Sequence, residues 1–276
     1  MLTLNKKSPI AVLKALIQTT LLCSHLVLAG CGGGEQTTNS ATITPASTSN
    51  TSQVSWEQVA SPTLDFRPDQ SPGAELFKKL VPSPQNYLRE ISQNVARTLY
   101  QQANEVPAFS TLELHIERWE NEPNGVAWKA GDPPRITVNV NAYYLEKIAA
   151  QGVNVAEEVK GILYHEMTHA YQHASGMDLP AVEGLADTVR YLNGYIPISF
   201  RRPGGKWTDS YKTTAFFFAW LQEKKGYKSF TYCFNQQAKP GNANWSWNNA
   251  IAACTAQGDL SSLWNEYQTW LINGAH

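Results

Sequence analysis

The sequence predicts an α+β fold in which a small mixed sheet precedes a mostly helical C-terminal half. Two observations predict it. Segments in which apolar and polar residues alternate lie before residue 142, and from about Val155 onward the apolar spacing becomes helical and stays so. Residues 56–276 are expected to hold the whole fold, because the segments before them carry no core.

Residues 1–30 are read as a secretory signal. Lys6, Lys7 and Lys14 give a positive start with no acid before Glu35, and the apolar run Ala15–Leu28 is short for a membrane span. The run ends Leu28-Ala29-Gly30-Cys31, the pattern of a bacterial lipobox, so Cys31 is expected to be acylated and to head the exported chain. Gly32 follows where an Asp would favour inner-membrane retention, so the outer membrane is the expected destination. Lipid rather than a helix then provides the membrane contact. Residues 31–55 offer almost no large apolar side chain to offset the entropy of ordering them, and are read as a flexible tether.

Removal of the signal takes away three lysines and no acids, so the formal charge falls from −1 to −4. No basic footprint for nucleic acid or anionic lipid remains. Cys23 leaves with the signal and Cys31 takes lipid. Cys233 and Cys254 remain in an oxidising setting, where a disulfide between them is expected and contributes ~2–4 kcal/mol.

Ser61–Pro72 reads as a Pro-rich lead-in. Tyr87, Leu88, Ile91, Val95 and Leu99 recur at helical spacing and predict a helix over 84–102. Leu112, Leu114 and Ile116 alternate with Glu113, His115 and Glu117, and Ile136, Val138 and Val140 alternate with Thr137, Asn139 and Asn141. These are two half-buried strands separated by turn signals, with a short strand near Val126–Trp128 between them. Helices are then predicted over 155–174, from Pro180 to Asn193-Gly194, from Tyr211 to Gly226, and over 229–238, 246–256 and 259–272.

The chemistry concentrates in His165-Glu166-Met167-Thr168-His169. HExxH sets two imidazoles at i and i+4 on one helix face, where both can reach a single Zn²⁺. Glu166 is rotated about 100° round the helix, a poor ligand position but a good one for taking a proton from the attacking water. A catalytic zinc takes three protein ligands and keeps one position open. Glu183, on the next helix, is the expected third ligand, and Asp187 one turn later is expected to accept the second ring N–H of a zinc-bound histidine. Asp187 is also the rival third ligand. His173 continues the His169 face, but Gln172 and Ser175 stand where a HExxHxxGxxH site has its glycine and third histidine.

His165–Gln172 (HEMTHAYQ) followed by Glu183–Tyr195 (EGLADTVRYLNGY) resembles the basic secretory protein family of plants and bacteria. The likeness extends to Gly125–Trp128, Ile136–Asn139, Trp207, Tyr211–Phe216 and Leu263–Tyr267, about residues 75–272 in all. The resemblance implies a zincin-like fold and a zinc peptidase in which His165 and His169 bind the metal, Glu166 is catalytic, and the EGxAD segment supplies Glu183 and Asp187. This chain is mildly acidic, unlike the basic family.

The expected reaction is hydrolysis of peptide or protein substrates outside the inner membrane, with one Zn²⁺ as cofactor. The alternative is a non-catalytic peptide- or glycan-binding lipoprotein on the same scaffold. An extended substrate is expected to pair with Ile136–Val140 as an edge strand. Tyr211, Tyr195 and Arg190 are candidates for an oxyanion donor, with no choice made among them. Gly161 is read as a point of close approach, and Trp245 and Trp247 as helix packing or an exposed platform.

Overall fold

The computed structural model describes residues 54–256 and 258–274. The expected signal, Cys31 and nearly all of the tether lie outside the described residues.

A short helix α1 (Trp56–Val59) leads into strand β1 (Thr63–Pro68). Helices α2 (Pro72–Leu80) and α3 (Pro84–Leu99) cross to β2 (Thr111–Glu117), followed by β3 (Ala127–Ala130), β4 (Arg135–Asn141) and α4 (Ala142–Ala150). Six helices complete the chain: α5 (Val155–Tyr171), α6 (Leu179–Leu192), α7 (Tyr211–Glu223), α8 (Phe230–Gln237), α9 (Trp247–Cys254) and α10 (Leu260–Ile272). The architecture is mixed α+β, with a small sheet and a mostly helical C-terminal half. No described helix is long and apolar enough to cross a membrane.

The sheet order is β1-β2-β4-β3, with β1, β2 and β4 parallel and β3 antiparallel to β4. The register sets Leu112 beside Ile136, Leu114 beside Val138 and Ile116 beside Val140, all buried. The other face is charged: Glu113 meets Arg67 and Arg135, and His115 stands 3.5 Å from Glu113. A slip of one residue would exchange these faces, so the burial pattern pins the register.

Two expectations need correction here. Ser61–Pro72 is more than a lead-in, since it contains β1 and the start of α2. With Leu64 and Phe66 as its only apolar residues and Pro68 at its end, β1 is readable as a strand only once β2 lies beside it, and an edge position tolerates the proline. Ile136–Val140 is not an edge, because β4 is hydrogen-bonded on both sides; the edges are β1 and β3, of which β3 lies at the cleft. Helix α4 was also missed, as it follows β4 with no intervening turn signal.

The C-terminal helices carry an aromatic core. Phe218 packs against Phe230 and Phe234, and Phe217 against Trp264 and Tyr267. Trp245 and Trp247 are half-buried against Phe234, and the Trp247 indole N–H donates to Asp178 at 2.8 Å. They pack helices rather than form a free platform. A Cys233–Cys254 disulfide joins α8 to α9.

Close contact of α6 with α5 and with α7 depends on two glycines. A Cβ at Gly161 would meet the Arg190 guanidinium at 2.6 Å, so the glycine makes room for the arginine that pairs with Glu158 at 2.9 Å and ties α6 to α5. A Cβ at Gly184 would meet Thr214 Cγ2 at 2.3 Å, so α7 lies directly against α6 beside Glu183. Gly184→Ala is expected to lower stability by about 1–3 kcal/mol through overpacking. Adding Thr214→Ser, which removes Cγ2 but keeps the Cβ that would stand 2.6 Å away, should restore only part of that loss. Thermal melts of the two proteins check this, and equal melting of Gly184→Ala and the parent would show that the contact is not close.

Candidate metal centre

Helix α5 begins at Asn154, whose side chain caps the Glu157 amide, with Glu157 and Glu158 in the positively polarised first turn. Its C-terminal half is buried nearly all round, polar residues included. Ile162, Leu163, Tyr164, Met167 and Tyr171 are buried, and so are His165, Glu166 and Thr168. Buried polar groups require partners. Thr168 finds one within the helix, its hydroxyl donating to the Tyr164 carbonyl at 2.7 Å. His165 and Glu166 instead line a cleft of about 960 Å³ together with His169, Glu183 and Asp187.

Helix α6 brings the acids. Asp178 caps it by accepting from the Ala181 amide at 3.1 Å, and Pro180 lies in its first turn. One turn of spacing then puts Glu183 and Asp187 on the side facing α5. His165 Nε2 lies 3.0 Å from His169 Nε2 and 3.0 Å from Glu183 Oε2, while His169 Nε2 lies 3.5 Å from the same oxygen. Donors held ~2.0–2.1 Å from a tetrahedral Zn²⁺ stand about 3.4 Å from one another. The triangle therefore has the size that one such ion requires. Among the described residues, His165, His169 and Glu183 are the group of potential ligands that converges in this way.

The surroundings fit a cation. The His165 Nδ1–H donates to Asp187 Oδ1 at 2.8 Å, which leaves the Nε2 lone pair directed at the triangle. Burial acts to lower the His165 pKa, but the Asp187 and Glu183 carboxylates outweigh it and hold the pKa above the usual imidazole range. Burial likewise opposes ionisation of Glu183, and the two imidazoles reverse this, keeping its carboxyl well below the usual range. Burial pushes the Glu166 pKa up, and His165 and His169 offset only part of it. Three carboxyl groups facing two imidazoles leave surplus negative charge in a poorly solvated place, which a divalent ion would balance. Glu166 Oε2 is buried with no hydrogen-bond partner, so this carboxylate keeps a free acceptor at the cleft.

The remaining candidates separate clearly. Asp187 lies behind His165, on Nδ1, and not in the triangle. His173 turns to Tyr100, whose hydroxyl is 3.4 Å from its Nε2, and does not line the cleft. Tyr195 stacks on Tyr164 at 4.9 Å, and Arg190 is held by Glu158 and the Tyr195 carbonyl. Tyr211 lies at the cleft, its ring nearly parallel to that of His165 with centroids 6.0 Å apart. It follows Ser210, and both residues have positive φ, 70° and 43°, a strained turn of the kind that clusters at functional sites.

Sequence reasoning missed Gln172 and the β3 edge. The Gln172 amide lies 3.0 Å from His169 Nδ1, and its Oε1 is buried without a partner. With Oε1 turned to an Nδ1–H, the amide would hold His169 in the same tautomer as Asp187 holds His165. The i+3 spacing from His169 was the available signal. Trp128 and Lys129 of β3 line the cleft, with Trp128 against Trp119 at 4.1 Å.

Glu183→Ala is expected to lower zinc occupancy far more than Asp187→Asn or His173→Ala. A change at a residue supporting a ligand typically costs about 10–100-fold in metal affinity, and loss of a direct ligand should exceed that. Elemental analysis after dialysis measures it, and full occupancy in Glu183→Ala would give the ligand role to another side chain.

The family model described as "Peptidase of plants and bacteria" (BSP) matches residues 61–267. No curated protein and no solved structure matches the chain. The match covers the sheet, the three converging side chains, Glu166, and the helices packed behind them. Well over half of the sequence lies within it, and the chain belongs to the BSP family of peptidases of plants and bacteria.

Proposed function

We propose that this protein is a zinc-dependent peptidase of zincin type, exported and held at the bacterial outer membrane by lipid on Cys31. The observation that carries the reading is the unpartnered, buried Glu166 carboxylate oxygen beside the His165–His169–Glu183 triangle. A scaffold used only for binding, or a purely structural metal site, has no need of a buried base with a free lone pair. Membership of a peptidase family supports the same reaction class.

His165, His169 and Glu183 would hold the ion. When bound, zinc supplies Lewis acidity, polarising the scissile carbonyl and making water acidic near neutral pH. Glu166 takes a proton from the attacking water and returns it to the leaving amine. Asp187 orients His165 throughout. Tyr211, the candidate donor beside His165 that is not engaged elsewhere, would hydrogen-bond the developing oxyanion. The free edge of β3 would pair with an extended peptide and carry its scissile bond across the cleft. The expected partners are thus a peptide or protein substrate and a membrane reached through the lipid anchor, with no nucleic acid.

Glu166→Gln is expected to keep its zinc and to lose at least about 10²-fold in cleavage of a broad peptide library. Equal turnover by both forms would remove Glu166 from the mechanism. Mass spectrometry of the protein isolated from membranes should find a diacyl or triacyl Cys31 as the first residue. An unmodified N-terminus elsewhere in the chain would refute the anchor.

A further inference from the structure

A second recess, of about 230 Å³, adjoins the catalytic cleft and shares Lys212 and Thr213 with it as a common wall. These residues lie in the first turn of α7, immediately after the strained Ser210-Tyr211 turn. The floor is aromatic, with Phe216 and Trp264 buried beneath it. Arg202 and Lys212 stand at its wall, and no Asp or Glu lines it.

Neither cation has an acidic partner among the described residues. Arg202 Nη1 donates to the Arg201 carbonyl at 2.9 Å, and Lys212 Nζ lies 4.3 Å from the centre of the Phe200 ring. Other cations of the cleft are engaged: Arg190 pairs with Glu158, and Lys129 faces Asp132 at 3.8 Å. The one acid between Ile198 and Lys212 is Asp209, and its Oδ2 accepts from the Lys206 amide at 2.8 Å. Gln268 adds an unused donor. Its Oε1 accepts from the Gly204 amide at 2.6 Å, while its Nε2 is buried without a partner. The recess therefore offers a guanidinium and an ammonium without a carboxylate partner and an amide N–H without an acceptor, above an apolar floor.

We infer that this recess is a substrate subsite that takes a carboxylate of the bound peptide, from an Asp or Glu side chain or from the chain terminus. The inference rests on the peptidase reading for the identity of the ligand. A guanidinium matches a carboxylate through two parallel hydrogen bonds, and Lys212, half-buried at the wall, is less screened by solvent than the exposed Arg202. A peptide lying along β3 and past Tyr211 would reach the wall at Lys212, so the subsite would select the residue cleaved beside rather than perform chemistry.

The test uses the intact mature protein carrying Glu166→Gln and loaded with zinc, which binds peptide without cleaving it. Fluorescent peptides are compared by anisotropy as Glu and Gln versions, each with a free or an amidated C-terminus. The acidic form is expected to bind about tenfold more tightly than its neutral counterpart, the scale of one well-placed ion pair. Arg202→Gln with Lys212→Gln should bring that ratio close to one, and Arg202→Gln alone, at an exposed position, should lower it part of the way. The free-against-amidated pairs separate a terminal carboxylate from a side-chain one. Equal binding of acidic and neutral peptides, or a ratio unchanged in the double variant, would overturn the subsite. Acidic preference in binding with no turnover by the Glu166 protein would keep the subsite and discard the peptidase reading. Turnover without acidic preference would do the reverse.

Discussion

Two imidazole nitrogens and a carboxylate oxygen crowd together at the junction of α5 and α6, in a place with little access to water. Each of these groups, and the Glu166 and Asp187 carboxyls around them, costs free energy to bury unless it is paired. Within the protein the pairing is incomplete: Asp187 is satisfied by His165, Glu183 is shared between two rings, and Glu166 keeps a bare oxygen. A divalent cation at the triangle would balance the shared Glu183 and the bare Glu166 oxygen together. Stability and chemistry are here two aspects of one charge balance.

Holding that balance requires α5 and α6 to approach closely with the correct rotation. Arg190 folded over Gly161 and paired with Glu158 ties α6 to α5, and Thr214 of α7 seated on Gly184 sets how α6 lies against α7. Glu183 and Asp187 lie next to that second contact. The sheet contributes a different constraint. Its apolar face packs on the helices, and its order leaves β3 outermost, beside the cleft. The helical junction thus holds the candidate ligands, and the unpaired strand edge lies beside them.

The segment between α6 and α7 has no regular structure beyond one short turn, yet it decides what surrounds the centre. It places two cations without acids at one wall and ends in two successive residues with positive φ. Strain of that kind persists only where neighbouring contacts over-determine the backbone. Here the Thr214 hydroxyl donating to the Trp207 carbonyl at 2.7 Å, together with the Thr214–Gly184 contact, supplies them.

What the sequence determined by itself was local. The HExxH spacing set two imidazoles on one face, the EGLAD spacing set two carboxylates one turn apart, and alternation marked β2 and β4, because these relations depend only on the period of a helix or strand. Helices α5 to α10 were legible to within a few residues for the same reason, since caps and glycines end them chemically. The tertiary structure decided what joins distant segments. Strand β1 exists because β2 offers it a parallel partner, and β4 is interior because β3 folds back on it. Gln172 reaches His169 because α5 ends there, and Arg202, Lys212 and Gln268 meet although up to 66 residues separate them. Periodicity carries no information about which elements become neighbours. That is settled by burial of apolar faces summed over the whole chain, and the second recess is a product of that sum.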